Sequence, residues 1–166
     1  VDIRDLKSLG FGRAGSSPAG GTAIGSQRRR TEGHMMAEAR IGLIGLGTMG
    51  AALALNIAEK GFPIAVFNRT VSRVDEFRAG AGQLAERIVP CRDLDELAQA
   101  IRPPRPVIIM VAAGTPVDEQ IAALRRKLQP NDIVIDAGNA NFHDTVRRFK
   151  ELEGSGLTFI GMGVSG

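Results

Sequence analysis

One cysteine and two histidines in 166 residues leave this chain little material for metal or redox chemistry. Cys91 alone closes no internal disulfide, and with only His34 and His143 beside it no metal-ligand cluster can be proposed. Long apolar runs are also missing: none approaches the roughly 18 residues of a membrane-spanning helix, and the apolar segment of a secretory signal is not present. The expectation is a protein of a reducing compartment, cytoplasmic, with no membrane partner and no metal. An excess of one charge is lacking where it would matter. Net charge is +3 and the pI near 9.6. Residues 1–35 hold six Lys or Arg (Arg4, Lys7, Arg13, Arg28, Arg29, Arg30) against three acids (Asp2, Asp5, Glu32), and residues 36–166 hold fifteen of each sign. The globular part is neutral, so the basic pI says nothing of its ligand, and no nucleic-acid partner is expected.

The amino-terminal stretch differs in texture as well as charge. Gly10 to Gly25 is built of Gly, Ser, Ala and Pro, without a period of two or 3.6. Residues 1–38 are expected to be a disordered extension. Arg and Ser suit a mitochondrial or plastid transit peptide, whereas Asp2, Asp5, Glu32 and the absence of an amphipathic helix speak against one. The plainer expectation is a start at Met35 or Met36, with the preceding residues vector-derived or translated upstream sequence.

From Ala39 the pattern becomes an alternation of short strands and helices. Strands are predicted at Ile41 to Ile44, Ile64 to Phe67, Ile88 to Pro90, Val107 to Val111, Ile133 to Asp136 and Leu157 to Ile160. Helices are predicted at Ala51 to Lys60, capped by Gly61; from Ser72 to about Ala79, with Ser72 and Asp75 as a capping-box-like start; at Asp93 to Ile101; from about Val117 to Leu128; and at Asp144 to Leu152. Pro130-Asn131-Asp132 reads as a turn, and Val107 to Val111 as a strand buried on both faces. The fold class is α/β, a Rossmann-type doubly wound parallel sheet in a single domain over residues 39–166.

The chemistry starts at Gly45-Leu46-Gly47-Thr48-Met49-Gly50. A lone GxGxxG is a weak signal, but this one follows a strand and opens a helix. Gly45 then permits the tight turn, Gly47 lets backbone approach a pyrophosphate, and Gly50 allows close packing of helix on strand. Phosphate would sit at the helix amino terminus, where free N–H groups and the dipole favour an anion. At the end of the second strand, where NAD-binding members of this fold carry Asp or Glu for the ribose 2′-hydroxyl, the chain has Asn68-Arg69-Thr70. A guanidinium pairs with a 2′-phosphate that a carboxylate would repel, so the expected cofactor is NADP in preference to NAD.

These residues carry a family resemblance that covers nearly everything from Ala39 to Gly166. The runs Ile41 to Gly50, Phe67 to Ser72 with Val74-Asp75, Asp136 to Asn139 and Gly163 to Gly166 resemble the amino-terminal domain of the 6-phosphogluconate dehydrogenases, decarboxylating enzymes of the pentose phosphate pathway. The resemblance implies that the glycine turn holds the cofactor pyrophosphate and that Asn68, Arg69 and Thr70 hold the adenosine phosphate. It also implies that Val111, Ala112 and Ala113 line the nicotinamide side, that Asn139 meets both cofactor and substrate, and that Ser165 and Gly166 contribute to the sugar-phosphate pocket. The reaction implied is hydride transfer from C3 of 6-phosphogluconate to NADP, loss of CO2, and protonation to ribulose 5-phosphate, carried out by a homodimer.

Several positions depart from the family's pattern: Ala112 stands where a lysine is common, Ala137 where a glycine is, and Ala140 where a serine follows the asparagine. In the family the lysine that acts as base and the acid that assists after decarboxylation come from a following helical domain. Neither is present in this sequence, so no catalytic residue is assigned here and the isolated chain is expected to be inert. Two alternatives stay open. One is a 3-hydroxyisobutyrate dehydrogenase-like β-hydroxyacid dehydrogenase, which shares the glycine turn and often Asn-Arg-Thr but typically shows Asp-x-Ser-Thr where this chain has Asp136-Ala137-Gly138-Asn139. The other is a non-catalytic NADP-sensing module.

Overall fold

The computed structural model describes residues 38–164. Nearly all of the expected amino-terminal extension, and the expected substrate residues Ser165 and Gly166, lie outside the described residues. Six strands, β1 (Ile41–Ile44), β2 (Ile64–Phe67), β3 (Ile88–Cys91), β4 (Pro106–Ile109), β5 (Ile133–Asp136) and β6 (Thr158–Gly161), form one parallel sheet in the order β3-β2-β1-β4-β5-β6. Five helices connect them: α1 (Thr48–Glu59), α2 (Val71–Gly80), α3 (Leu94–Ala100), α4 (Thr115–Leu124) and α5 (Phe142–Leu152). This is the doubly wound arrangement expected from the sequence.

Parallel strands with helices on both faces bury both sides, which explains the unbroken apolar runs. On one face α3, α4 and α5 press Leu97, Ile121, Leu124 and Leu152 against Ile44, Val107, Ile109 and Val134. On the other, α1 and α2 contribute Ala54, Ala58 and Val74 against Leu43, Ile64, Val66 and Ile108. Helix α5 also carries Phe142, Val146 and Phe149 at the i, i+4, i+7 spacing of one helix side, all exposed. At the sheet edge Ile160 and Met162 are likewise exposed.

Where the elements differ from expectation, local hydrogen bonding gives the reason. Helix α1 starts at Thr48, three residues early, so Gly50 is already inside its first turn. Helix α2 starts at Val71 with Thr70 at the N-cap and no side-chain capping bond, so the capping-box role expected of Ser72 and Asp75 is not realised. Helix α5 starts at Phe142 because Asn141 caps it, its side-chain oxygen accepting from the His143 N–H at 3.0 Å. Helix α4 begins at Thr115 with Pro116 in its first turn, where the missing N–H costs nothing. Strand β4 leaves the ladder after Ile109, and a 3₁₀ segment, Gly82–Arg87, was not anticipated. The Gly61 cap is as expected. At φ +92° it donates to Ala58, and Phe62 N–H donates to the Ile57 carbonyl, the paired bonds of a Schellman motif.

The packing of α1 on β1 rests on two glycines. Gly45 lies at φ +102°, and a Cβ there would meet the Met110 carbonyl; a Cβ at Gly50 would run into the Gly45 carbonyl oxygen. Gly50→Ala is therefore expected to destabilise the chain by about 1–3 kcal/mol, the usual range for forced overpacking. An unchanged midpoint in urea unfolding would count against the close approach.

Candidate functional site

Ligands of open α/β sheets bind beyond the carboxyl ends of the strands, where strand order reverses. Here that place lies between β1 and β4. The β1–α1 turn crosses it, and Asn68 fixes the turn: its side-chain oxygen accepts from the Leu46 N–H at 3.0 Å, while its Nδ2 donates to the Thr70 carbonyl at 3.1 Å. Asn68 thus joins the glycine turn to the end of β2, each end of its amide bonded to backbone. Leu46 is committed too, its side chain packed in the core. Gly47 is different, since a Cβ there would meet nothing within 4 Å.

Helix ends separate the site from the rest of the sheet. Helix α3 has its amino terminus capped by Asp93, which accepts from the Asp95 and Glu96 N–H groups at 2.8 Å, and Asp95 and Glu96 stand in its first turn. Helices α1 and α2 have no side-chain cap and no acidic residue in the first turn. Their first N–H groups have no partner within the helix, and both ends carry the positive pole of the dipole with no acidic residue in their own first turns.

Between these two ends lies a cleft of roughly 340 Å³. Gly45, Gly47, Asn68, Arg69, Thr70, Val111 and Ala112 line it, so seven of the expected cofactor residues are brought together. Of the others, Gly50 is buried beneath the Gly45 carbonyl, Thr48 and Met49 are exposed on the first turn of α1, and Ala113 is exposed on the loop that follows. Among the lining residues that escaped the sequence reading are the polar side chains Arg73, Glu119 and Gln120. Arg73 stands in the first turn of α2, just after the Asn68-Arg69-Thr70 run, a nearness that could have found it. Gln120 has a buried Oε1 with no hydrogen-bond partner, and helical periodicity gives no sign of that.

Asn139 is not in this cleft. With Gly138, Phe142, Thr145, Met162 and Val164 it lines a second one of roughly 440 Å³, at the ends of β5 and β6. The two clefts adjoin at Gly138, where a Cβ would come within 3.3 Å of the Val111 carbonyl oxygen.

A family profile described as the NAD binding domain of 6-phosphogluconate dehydrogenase matches residues 40–166. The chain belongs to this family. It is 47% identical over 131 residues to the decarboxylating 6-phosphogluconate dehydrogenase of Synechococcus elongatus, covering 79% of this chain and 28% of that protein. A solved 6-phosphogluconate dehydrogenase from Plasmodium falciparum, described in complex with its cofactor NADP+ and with its substrate 6-phosphogluconate, superposes with a TM-score of 0.72. It is 38% identical, over 76% of this chain and 27% of that one. The chain thus spans little more than a quarter of the relatives it matches. A 3-hydroxyisobutyrate dehydrogenase of Mycobacterium tuberculosis shares the fold, with TM-score 0.60 and 22% identity.

Behind both clefts of this 6-phosphogluconate dehydrogenase family member lies a buried ion network. Arg148, its side chain fully buried, donates from Nε to Asp118 at 2.7 Å, from Nη1 to the buried Asp136 at 2.9 Å, and from Nη2 to the Gly114 carbonyl at 3.0 Å. Burial disfavours the guanidinium charge, but the bond to Asp118 and the charges of Asp118 and Asp136 outweigh it, and the Arg148 pKa is raised. Asp118 is held below its ordinary value, first by the Arg148 hydrogen bond and then, against a partial desolvation, by Arg147. Burial, with the charge of Glu96 added, pushes the Cys91 thiol up to about 12, so it is inert as a nucleophile at neutral pH. Among the described residues no helix is long and apolar enough to cross a membrane, and no three His, Cys, Asp or Glu side chains are grouped to hold a metal ion.

The Asp118 shift has a sign that can be checked. A carboxylate whose folded pKa lies below its unfolded value of 3.8 stabilises the fold fully above that value and loses the contribution as pH falls through the lower, folded one. The melting temperature is expected to drop between about pH 5 and about pH 3, and less steeply in Asp118→Asn. Parallel curves for the two proteins would remove Asp118 from the acid transition.

Proposed function

We propose that residues 39–166 are the NADP-binding domain of a decarboxylating 6-phosphogluconate dehydrogenase, with residues 1–38 an extension outside it. The observation that carries the reading is the pair of uncapped helix termini facing one cleft. The amino end of α1, with Gly47 open to approach, suits a pyrophosphate, and the amino end of α2, between Arg69 and Arg73, suits a second phosphate. Of the two nicotinamide dinucleotides, only the 2′-phosphorylated one has anions for both. No carboxylate stands at the end of β2 to select a free 2′-hydroxyl, and the unpartnered Gln120 Oε1 leaves an acceptor for a donor on the ligand. The residues present therefore fit the group.

Val111, Ala112 and Ala113 are proposed for the nicotinamide side, and Asn139, Ser165 and Gly166 for the sugar phosphate. When bound, the cofactor supplies the hydride acceptor for oxidation of 6-phosphogluconate. Asn68 has the more indirect task of holding the glycine turn against the β2 end, so that Arg69 and Thr70 meet the phosphate from a fixed backbone. Dimeric association of the intact enzyme and a cytoplasmic location belong to the same proposal.

Calorimetric titration of the 166-residue chain with NADP and with NAD tests the reading. NADP is expected to bind more tightly by about 10- to 100-fold, the worth of one or two charge-assisted hydrogen bonds. Arg69→Ala combined with Arg73→Ala should remove most of that difference while leaving NAD affinity nearly unchanged. Equal affinities in the unsubstituted chain would defeat the assignment of the α2 terminus.

A further inference from the structure

We propose that Arg148 is a positioning residue for the nicotinamide half of the site, its buried guanidinium setting the β4–α4 loop against the β5–α5 loop; this rests on the dinucleotide reading above. The side chain lines neither cleft, yet each of its three bonds ends on an element that carries lining residues, and Asp136 itself lines the second cleft. One goes to the carbonyl of Gly114, the residue that closes the loop Val111–Ala113. Gly114 sits at φ +88° and ψ −140°, a conformation open to glycine and strained for any other residue. A second goes to Asp136, the last residue of β5, whose other oxygen receives the Gly138 N–H at 3.3 Å just before Asn139. The third reaches Asp118 in the first turn of α4.

Position, more than stability, is what such an arrangement supplies. A buried guanidinium loses its hydration, and an apolar side chain of similar volume commonly stabilises a core as well or better. What an apolar side chain cannot do is hold two loops and a helix start at fixed directions from one planar group. A lysine ammonium cannot do so either, since it lacks the fork that sends three bonds from three separate nitrogens. The loops so held are in contact with each other, Gly138 against the Val111 carbonyl. The adenosine side stands apart: Asn68 bonds to Leu46 and Thr70, and shares no hydrogen bond with the Arg148 network. Loss of the fork should therefore disturb one half of a dinucleotide site and spare the other.

The test compares two ligands on the same chain, NADP and adenosine 2′,5′-bisphosphate, which keeps the adenosine and its phosphates but lacks the nicotinamide half. Arg148→Lys is expected to weaken NADP about tenfold, the equivalent of one hydrogen bond to a charged group, with bisphosphate affinity changed by less than about twofold. Hydrogen exchange in the ligand-free protein should rise at the amides of Ala112–Gly114 and Gly138–Asn139 and stay unchanged at Asn68–Thr70. Should Arg148→Lys fail to fold, Gly114→Ala and Asp118→Asn perturb two of its three partners and are expected to show the same split between ligands. Equal weakening of both ligands, or no weakening of either, overturns the inference. An unsubstituted chain that binds neither ligand overturns the dinucleotide reading and the inference with it, whereas one that binds both and shows no split overturns the inference alone.

Discussion

The near contact between the Gly45 carbonyl and Gly50 is the constraint from which the site follows. It brings the first turn of α1 down onto the end of β1, closer than any side chain would allow. The amino end of the helix then lies directly beyond β1, and its unsatisfied N–H groups are delivered to the carboxyl side of the sheet where the strand order reverses. Because Asn68 clamps Leu46 to the end of β2, the same contact also determines how far Arg69 and Arg73 stand from that helix end. One steric permission, the absence of two methyl groups, thereby decides the spacing of two positive regions that lie on different elements.

Two arginine–aspartate pairs, each with its aspartate buried, divide the work of holding the sheet. At the amino ends of β4 and β5, Asp132 accepts from the Arg105 N–H at 2.7 Å and its guanidinium at 3.1 Å, and also from Gln129 N–H, so it pins the turn before β5 to the start of β4. At the carboxyl ends Arg148 and Asp136 do the equivalent with α5 included. The same ion-pair chemistry has different consequences at the two ends, because only the carboxyl ends face ligand. Asp132 fixes strand ends; Asp136 fixes strand ends and, through Gly138, the floor between the two clefts.

Much of this was legible in the sequence, for identifiable reasons. Runs such as Val107 to Ile109 are apolar because both faces of a parallel strand are covered, and Gly61 announces a helix end because few other residues tolerate its φ. The glycine turn and the Asn-Arg-Thr run were legible as a candidate site because each is a contiguous run at a strand end, and the loop at Val111-Ala112 through the family resemblance. Illegible parts depend on which side of a helix faces inward and on pairing across long separations. Gln120 looks like an ordinary polar helix residue until its Oε1 is seen buried without a partner. Arg148 looks like one of two adjacent surface arginines, yet Arg147 is half exposed and Arg148 wholly buried. Asn68 was legible as a site residue, but not that its amide also bonds the backbone of Leu46 and Thr70.

The strand order also governs when the chain can close during synthesis. Strand β1 lies at the centre of the sheet, and its partner on one side, β2, follows within a single helix; its partner on the other side, β4, does not, for Gly42 is in register with Val107 some 65 residues later. At translation rates of about 5–20 residues per second, the open edge of β1 waits several seconds for its second neighbour. During that interval the nascent half-sheet of β1, β2 and β3 exposes Leu43 and Ile44 backbone to any other extended segment nearby. The terminus of α1 that the glycines place so closely is thus formed on one side long before the cleft has its opposite wall.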